Sequence, residues 1–530
     1  MRNKKLQVWL PLVFSLVMIA GMFFGFKLHQ QTGSTGSFFK RDTRSALQEA
    51  VDLIKNRYVD SIGVDTLQDG AMQGLMDHLD PHSFYIPASD LSETNEDIIG
   101  NFQGIGVEFN IFQDTVHVLY VIPNGPSDKA GLQIGDKILA VDDSSVVSKT
   151  LPSDAIKKMI RGEGGTKVKL SILRGNTKQF FYVTRGTIPL PSLDAAYMLD
   201  SVTGYVKLNK FSETTYQEFM QAMEGLQGQH MQNLVLDLRG NGGGLVNQAT
   251  NIADEFLDGD KLIVYTEGTN TPKREYRAEK EGVFEKGKLA VLVDELTASA
   301  SEILAGALQD WDRAEIVGRR SFGKGLVQEQ YNLSDGSALR LTVARYYTPL
   351  GRSIQRPYDK GKKIYMEELY SRYENGELMY ADSIHIKNNK AYKTGSGKTV
   401  YGGGGIMPDV FVPIDSSLLI HSVTRLYLDG RFNNFVYQYY TRHLPEWQQY
   451  SSPADFAARY QNSAEMWNGL VAFAAKDSIN LKNVPADDRN EIQDRIKAYL
   501  ARFRWRTQGF YQVSNASDKV IATALKKLGK

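Results

Sequence analysis

LAVLVDELTASASEILAGALQD, residues 289–310, decides the reading of this chain. Leu289 to Val293 is an unbroken apolar run, as expected of a strand buried on both faces, and the stretch after the polar turn has helical spacing. Ser299, between Ala298 and Ala300, falls where the turn enters the helix. The same plan occurs upstream: Leu234 to Leu238 is apolar, RGNGGG (residues 239–244) makes a turn, and a helical stretch comes next. Two strand–turn–helix units predict an α/β domain whose turns sit side by side at the carboxyl ends of neighbouring strands, where such folds build their sites.

A serine hydroxyl is a weak nucleophile near neutrality and needs a base; a lysine serves once burial lowers its pKa. SFGKGLVQ, residues 321–328, offers Lys324 between Gly323 and Gly325, with Phe322, Leu326 and Val327 to dry its surroundings. Gln328 is expected to hold the amine without recharging it, as a carboxylate would. At a helix start the N–H groups of Ser299 and Ala300 have no intrahelical acceptor, so both are expected to face a developing oxyanion. The glycine turn at 242–244 supplies a second set of donors.

Competing readings are weaker. Ser299 and Ser301 fit helix caps. The 240–244 glycines resemble a phosphate turn, but Leu245 and Val246 follow where a P-loop needs Lys and Ser or Thr. Gly397-Lys398-Thr399 fails as a P-loop because Tyr392 occupies the required glycine position. The eight histidines form no His-Glu-x-x-His pair and no Gly-x-Ser-x-Gly elbow occurs, so neither metal nor cofactor is expected. His82 is expected to cap or pack the helical lead-in.

A chain of 530 residues is long enough for several domains. A net charge of +1 with no basic patch argues against nucleic acid as a partner. The absence of cysteine excludes disulfides, thiolate metal sites, cysteine nucleophiles and a lipoprotein signal. Arg2, Lys4 and Lys5 precede an uncharged run from Trp9 to Phe26, close to the roughly 20 residues that cross a bilayer. The expectation is an uncleaved anchor at residues 1–27 in an inner membrane, with the rest of the chain exported into a bacterial cell envelope; a cleavable signal peptide competes but lacks a small-x-small site.

Residues 28–40 read as a linker and 41–98 as a helical region, with Leu47, Val51, Ile54 and Tyr58, then Leu67, Ala71, Leu75 and Leu79, at helical spacing. Residues 99–186 alternate like short strands, with a helix from Asp154 to Ile160. Within them PNGPSDKAGLQIGDKILAVDD (residues 123–143) and GTKVKLSILR (165–174) resemble a PDZ domain. By that resemblance Gly104, Ile105, Gly106 and Val107 form the loop whose N–H groups bind a peptide's terminal carboxylate. Residues 187–415 are the α/β core, interrupted by a polar insertion at about 359–401 expected to be a mobile flap, and 416–530 read as a helical extension.

LDPHSFYIP (residues 79–87), VLDLRGNGGG (235–244), TASASEILAGALQD (297–310), RRSFGKGLVQ (319–328), LRLTVARYYTPLGRSIQ (339–355) and GIMPD (405–409), in this order, resemble the carboxyl-terminal processing, or tail-specific, proteases. The resemblance implies a crotonase-like α/β core with an inserted PDZ domain, a Ser299 nucleophile, Lys324 as base, Gln328 as its partner, and an oxyanion hole at Gly243 and Ala300. It implies substrates that are polypeptides with free C-termini, captured by the PDZ domain and cut near that end. A homo-oligomer stays open, and the alternative function is an inert PDZ adaptor that holds protein C-termini.

Overall fold

The computed structural model describes residues 4–31, 46–112, 114–148, 151–385, 390–415, 425–427 and 430–529. Most of the predicted linker, residues 32–40, the start of the extension, 416–424, and four insertion residues, 386–389, lie outside them. The chain divides into two units, residues 1–75 and 76–530.

In the first unit Lys4–Gln31 is one helix containing Pro11 and the Trp9 to Phe26 run, followed by the helix Ala46–Arg57. The side chains of Leu10, Leu12 and Phe26 are not described. Among the described residues no helix is long and apolar enough to cross a membrane.

The second unit is built on a six-stranded sheet in the order Leu193–Met198, Thr203–Leu208, Asn233–Asp237, Lys288–Val293, Glu315–Gly318 and Val410–Phe411. Its first pair is antiparallel and all others are parallel. Both predicted apolar runs are therefore central neighbouring strands, Leu234 beside Leu289 and Leu236 beside Val291. The helices Thr215–Gln227, Val246–Asp254 and Ala300–Asp310 cover one face through Phe219, Ile252, Ile303 and Leu304. The other face packs Tyr205, Val235, Ala290 and Leu292 against Val520, Ile521 and Ala524 of the helix Lys519–Lys527. A second, antiparallel sheet centres on Ala338–Tyr347, which pairs with Leu326–Asn332, Leu262–Glu267 and Phe84–Ile86.

Between these elements, Asn101–Gly104 and Gly186–Pro189 pair with each other and close the neck of a separate β domain. Its strands run in the order Val107–Phe112, Thr115–Val121, Lys137–Val141, Lys167–Arg174 and Thr177–Thr184, around Val116, Ile138, Leu170 and Ile156. Asp136 of the Ile-Gly-Asp turn is buried and takes Arg174 through two bonds of 2.7 Å, locking that turn to the fourth strand.

The C-terminal helices Arg431–Arg442, Leu444–Trp447, Pro453–Arg459, Ala464–Ala475 and Ala486–Ser514 form an aromatic core that includes Tyr437, Tyr440, Trp447, Phe456 and Phe503. Ser452 and Ser463 cap two of them. This core takes in Phe112 and Leu119 of the β domain, so the extension is not a detached appendage. The long helix breaks at Trp505 and Arg506, where Arg506 has φ 59° and ψ −152°. From that break Arg506 lies over the Tyr120 ring at 4.0 Å and pairs with Glu108, which also takes Arg502 at 2.8 Å.

The insertion is not wholly solvated, as its polar composition suggests: its Lys362–Glu374 helix buries Tyr365 and Arg372, and Arg372 is 1% exposed. A charged segment reads as solvated because composition does not reveal that Arg320, Arg372, Glu368 and Glu377 satisfy one another.

Candidate active site

The two turns are joined at the carboxyl ends of adjacent parallel strands. Ala298 N–H is donated to Asn241 O at 3.0 Å, Gly240 N–H to Asp294 Oδ1 at 2.9 Å, and Thr297 Oγ1 to Leu238 O at 2.9 Å. Ser299 is left with φ 57° and ψ −116°, a region that costs a non-glycine residue of order 1–3 kcal/mol and persists only where its surroundings enforce it.

Glu302 enforces it. The side chain is fully buried, and its Oε2 accepts from Ser299 N–H at 2.8 Å and from Lys324 N–H at 2.9 Å. Its Oε1 accepts from Gly323 N–H at 2.7 Å and from the Ser321 hydroxyl. Burial pushes the Glu302 pKa up, against the pull of these donors. Tyr346 adds a second clasp, donating to Ser299 O at 3.1 Å and Lys324 O at 2.6 Å. One carboxylate and one phenol thus fix the backbones of Ser299 and Lys324 relative to each other. Neither residue was singled out from sequence; the Ser-x-x-Glu spacing of a capping box was the available signal for Glu302.

Ser299, Lys324, Gln328 and Gly243 all line one cavity of about 610 Å³, with Arg340, Leu326 and Val246. Lys324 Nζ donates to Gln328 Oε1 at 2.7 Å, and Gln328 Nε2 donates to His82 O. Burial brings the Lys324 pKa down from its ordinary value to about 8; Asp80 and Glu302 oppose the shift and Arg340 assists it. His82 does not cap the lead-in helix. Its Nε2 meets Tyr365 Oη at 2.8 Å, and burial, then the Lys324 charge, hold its pKa down at about 4.

The oxyanion donors fall differently from their expectation. Ser299 N–H is committed to Glu302 rather than free. Ala300 N–H has no acceptor among the described residues. Gly243 packs against the serine, since a Cβ on it would stand 2.8 Å from Ser299 Cβ and 2.9 Å from Ala300 N, but its N–H is donated to Asn241 Oδ1 at 2.9 Å. Ser301, the other serine of the motif, is fully buried with its hydroxyl on Asn241 O at 3.0 Å.

The GIMPD and Thr-Val-Ala-Arg-Tyr-Tyr motifs find their places around this loop. Ile406 and Ser321 exchange bonds, Ser321 N–H to Ile406 O at 3.0 Å and Ile406 N–H to Ser321 Oγ at 2.6 Å, while Asp409 accepts Ile316 N–H at 2.8 Å.

In the β domain, Gly104 ends the neck strand, Ile105 is buried with its carbonyl accepting Ser127 N–H at 2.9 Å, and Gly106 turns the chain at φ 75°. Val107 then opens Val107–Phe112, the edge strand of the sheet, whose outer side pairs with no strand among the described residues. An edge strand behind a glycine turn is suited to accept an added peptide strand.

Comparison with known proteins decides the family. A sequence model of peptidase family S41 matches residues 202–360 and a PDZ domain model matches 103–184. The N-terminal domain of the activating protease CtpB matches 18–89, and a family of unknown function matches 422–506. The carboxy-terminal processing protease CtpA of Bacillus subtilis is 34% identical over 69% of this chain and 76% of its own length. The carboxy-terminal-processing protease of Bartonella bacilliformis is 31% identical over 73% of this chain and 91% of its own. The chain belongs to the carboxy-terminal processing proteases. Among solved structures, a photosystem II D1 C-terminal processing protease is 26% identical, covering 69% of this chain and 92% of that one with a TM-score of 0.36. As a processing protease of peptidase family S41 the protein combines a mixed α/β peptidase core, a PDZ domain, an N-terminal helical region and a C-terminal helical extension.

Proposed function

We propose that this processing protease cleaves polypeptides near their free C-termini, with Ser299 as nucleophile, Lys324 as general base and the Gly104 to Val107 loop as the receptor for the substrate's terminal carboxylate. The observation that carries the reading is the shared cavity: a serine held in a strained turn at a helix N-terminus faces the same space as a buried lysine with a pKa near 8 and a neutral hydrogen-bond partner.

The neutral amine takes the Ser299 hydroxyl proton as Oγ bonds to the scissile carbonyl carbon. The resulting oxyanion is met by Ala300 N–H, and by Gly243 N–H once it turns from Asn241. The ammonium returns the proton to the departing amide nitrogen, breaking the peptide bond and leaving an acyl-serine. Water, deprotonated by the same amine, attacks the ester, and the carboxylate product leaves as Ser299 recovers its proton.

The test is cleavage of one hydrophobic-tailed peptide, with a free and with an amidated C-terminus, by the purified full chain and by Ser299→Ala and Lys324→Ala. Loss of cutting in both variants and weak cutting of the amidated peptide are expected. Cutting that survives either substitution would sink the dyad. Equal cutting of both peptides would sink carboxylate capture, and tail binding without cleavage by any form would favour the adaptor.

The reading places the enzyme in a bacterial cell envelope, anchored in the inner membrane by the segment that carries Trp9 to Phe26; the basic residues Arg2, Lys4 and Lys5 before that run support this orientation. Resistance to alkaline extraction from membranes, with accessibility to external protease in spheroplasts, is the expected result; release by alkali would remove the anchor.

A further inference from the structure

The peptidase family match ends at residue 360, and the helix Lys362–Glu374 begins just beyond it. That helix is nonetheless wired to both sides of the proposed base. On one side Arg372 spreads its guanidinium over three successive carbonyls of the loop leading to Lys324: Nη1 reaches Arg320 O at 3.3 Å and Ser321 O at 2.8 Å, and Nη2 reaches Phe322 O at 3.1 Å. Its Nε is tied to Glu368 at 3.0 Å, which also pairs with Arg320. On the other side Tyr365 Oη meets His82 Nε2 at 2.8 Å, His82 O takes Gln328 Nε2, and Gln328 Oε1 takes the Lys324 amine. Arg356 fills the space between, its guanidinium 4.0 Å from the Phe322 ring centre and 3.9 Å from that of Tyr365.

We infer that this insertion helix is part of the catalytic apparatus, with Arg372 and Tyr365 as positioning residues that hold Lys324 at the depth and orientation the reaction needs. The inference rests on the reading of Lys324 as base. Its physical content is that a guanidinium collecting three carbonyls replaces the backbone partners that a glycine-rich loop cannot supply for itself, and that burial of the amine depends on the loop staying closed. The groups facing the amine are Asp80, His82, Glu302 and Arg340, and none of them belongs to the insertion. Loosening the loop therefore acts through hydration of the amine rather than through loss of a charge beside it.

The experiment compares the full chain with Tyr365→Phe, Arg372→Met and Arg372→Lys on one tailed peptide, recording kcat, KM, the pH profile and thermal unfolding. Tyr365→Phe removes a single hydroxyl and keeps the ring that packs on Arg356. It is expected to lower kcat about 10-fold with KM within about 2-fold. Arg372→Met is expected to lower kcat about 100-fold and to move the acid limb of kcat/KM up by about one pH unit, because a wetter amine titrates nearer its ordinary value. Arg372→Lys is expected not to rescue, since one ammonium cannot span three carbonyls. Unchanged kcat and acid limb in Tyr365→Phe and Arg372→Met, beside an inactive Lys324→Ala, would overturn the inference. So would a loss that merely tracks the folded fraction with the limb unmoved. An active Lys324→Ala would overturn the base assignment itself.

Discussion

Gln328 Oε1 accepts from Lys324 Nζ at 2.7 Å, so the amine is held by a neutral partner in a buried place. A carboxylate there would favour the charged amine instead. Gln328→Glu is therefore expected to move the acid limb of kcat/KM upward by about one pH unit or more and to cut activity near neutrality by roughly 10-fold, with partial recovery in alkali. A pH–rate profile of the two proteins checks it; an unmoved limb contradicts it.

The depressed pKa of Lys324 is also a cost to the fold. A base whose pKa is lower folded than unfolded destabilises the protein below the folded value of about 8, and the cost fades as pH rises toward the unfolded value. Lys324→Met is expected to be inactive yet more stable, by about 3 kcal/mol at pH 7 with the difference shrinking between pH 8 and pH 10. Denaturant unfolding at three pH values measures it.

Glu302 receives four donors on two oxygens, and an amide can accept on only one side. Glu302→Gln turns an N–H₂ toward backbone N–H groups, which is expected to lower kcat about 100-fold with little change in KM and to cost about 1–3 kcal/mol of stability. Steady-state kinetics with a thermal melt separates the two effects.

Gly243 has φ 97°, and a Cβ on it would lie 2.7 Å from Ala298 O and 2.8 Å from Ser299 Cβ. Gly243→Ala is expected to abolish cleavage while tail peptides still bind the PDZ domain. Fluorescence anisotropy beside an activity assay tests this.

Glu108 on the PDZ edge strand is held by Arg502 and Arg506 of the C-terminal extension. Glu108→Arg is expected to raise hydrogen exchange across Val107–Phe112, and a second change, Arg506→Glu, is expected to restore part of the protection. Both pairs are half-buried and confined to this contact between the edge strand and the long helix, so the effect is local.

The strands around Ser299 were legible because both are buried on two faces and read as unbroken apolar runs, and Lys324 was legible only through its flanks, since Gly323 and Gly325 allow close packing and Phe322, Leu326 and Val327 are apolar. What stayed hidden is satisfaction at a distance. Glu302 reads as a helix-start acid, Arg372 as one charge in a charged insertion and Tyr346 as a strand aromatic, since nothing local says that their partners are backbone groups 22, 50 and 47 positions away. The commitment of Ser299 N–H to Glu302 was missed for the same reason: the rule that helix-start donors are free omits the side chain three residues on.

The helix Lys519–Lys527 closes the face of the central sheet opposite the helix Ala300–Asp310, and Lys288, at the start of the strand leading to Ser299, donates to Leu528 O at 2.9 Å. A ribosome delivers the chain from its N-terminus. Ser299, Lys324 and Gln328 are therefore made some two hundred residues before the segment that covers the other face of the sheet. Until that helix is made, Tyr205, Val235, Ala290 and Leu292 lack the Val520, Ile521 and Ala524 side chains that cover them.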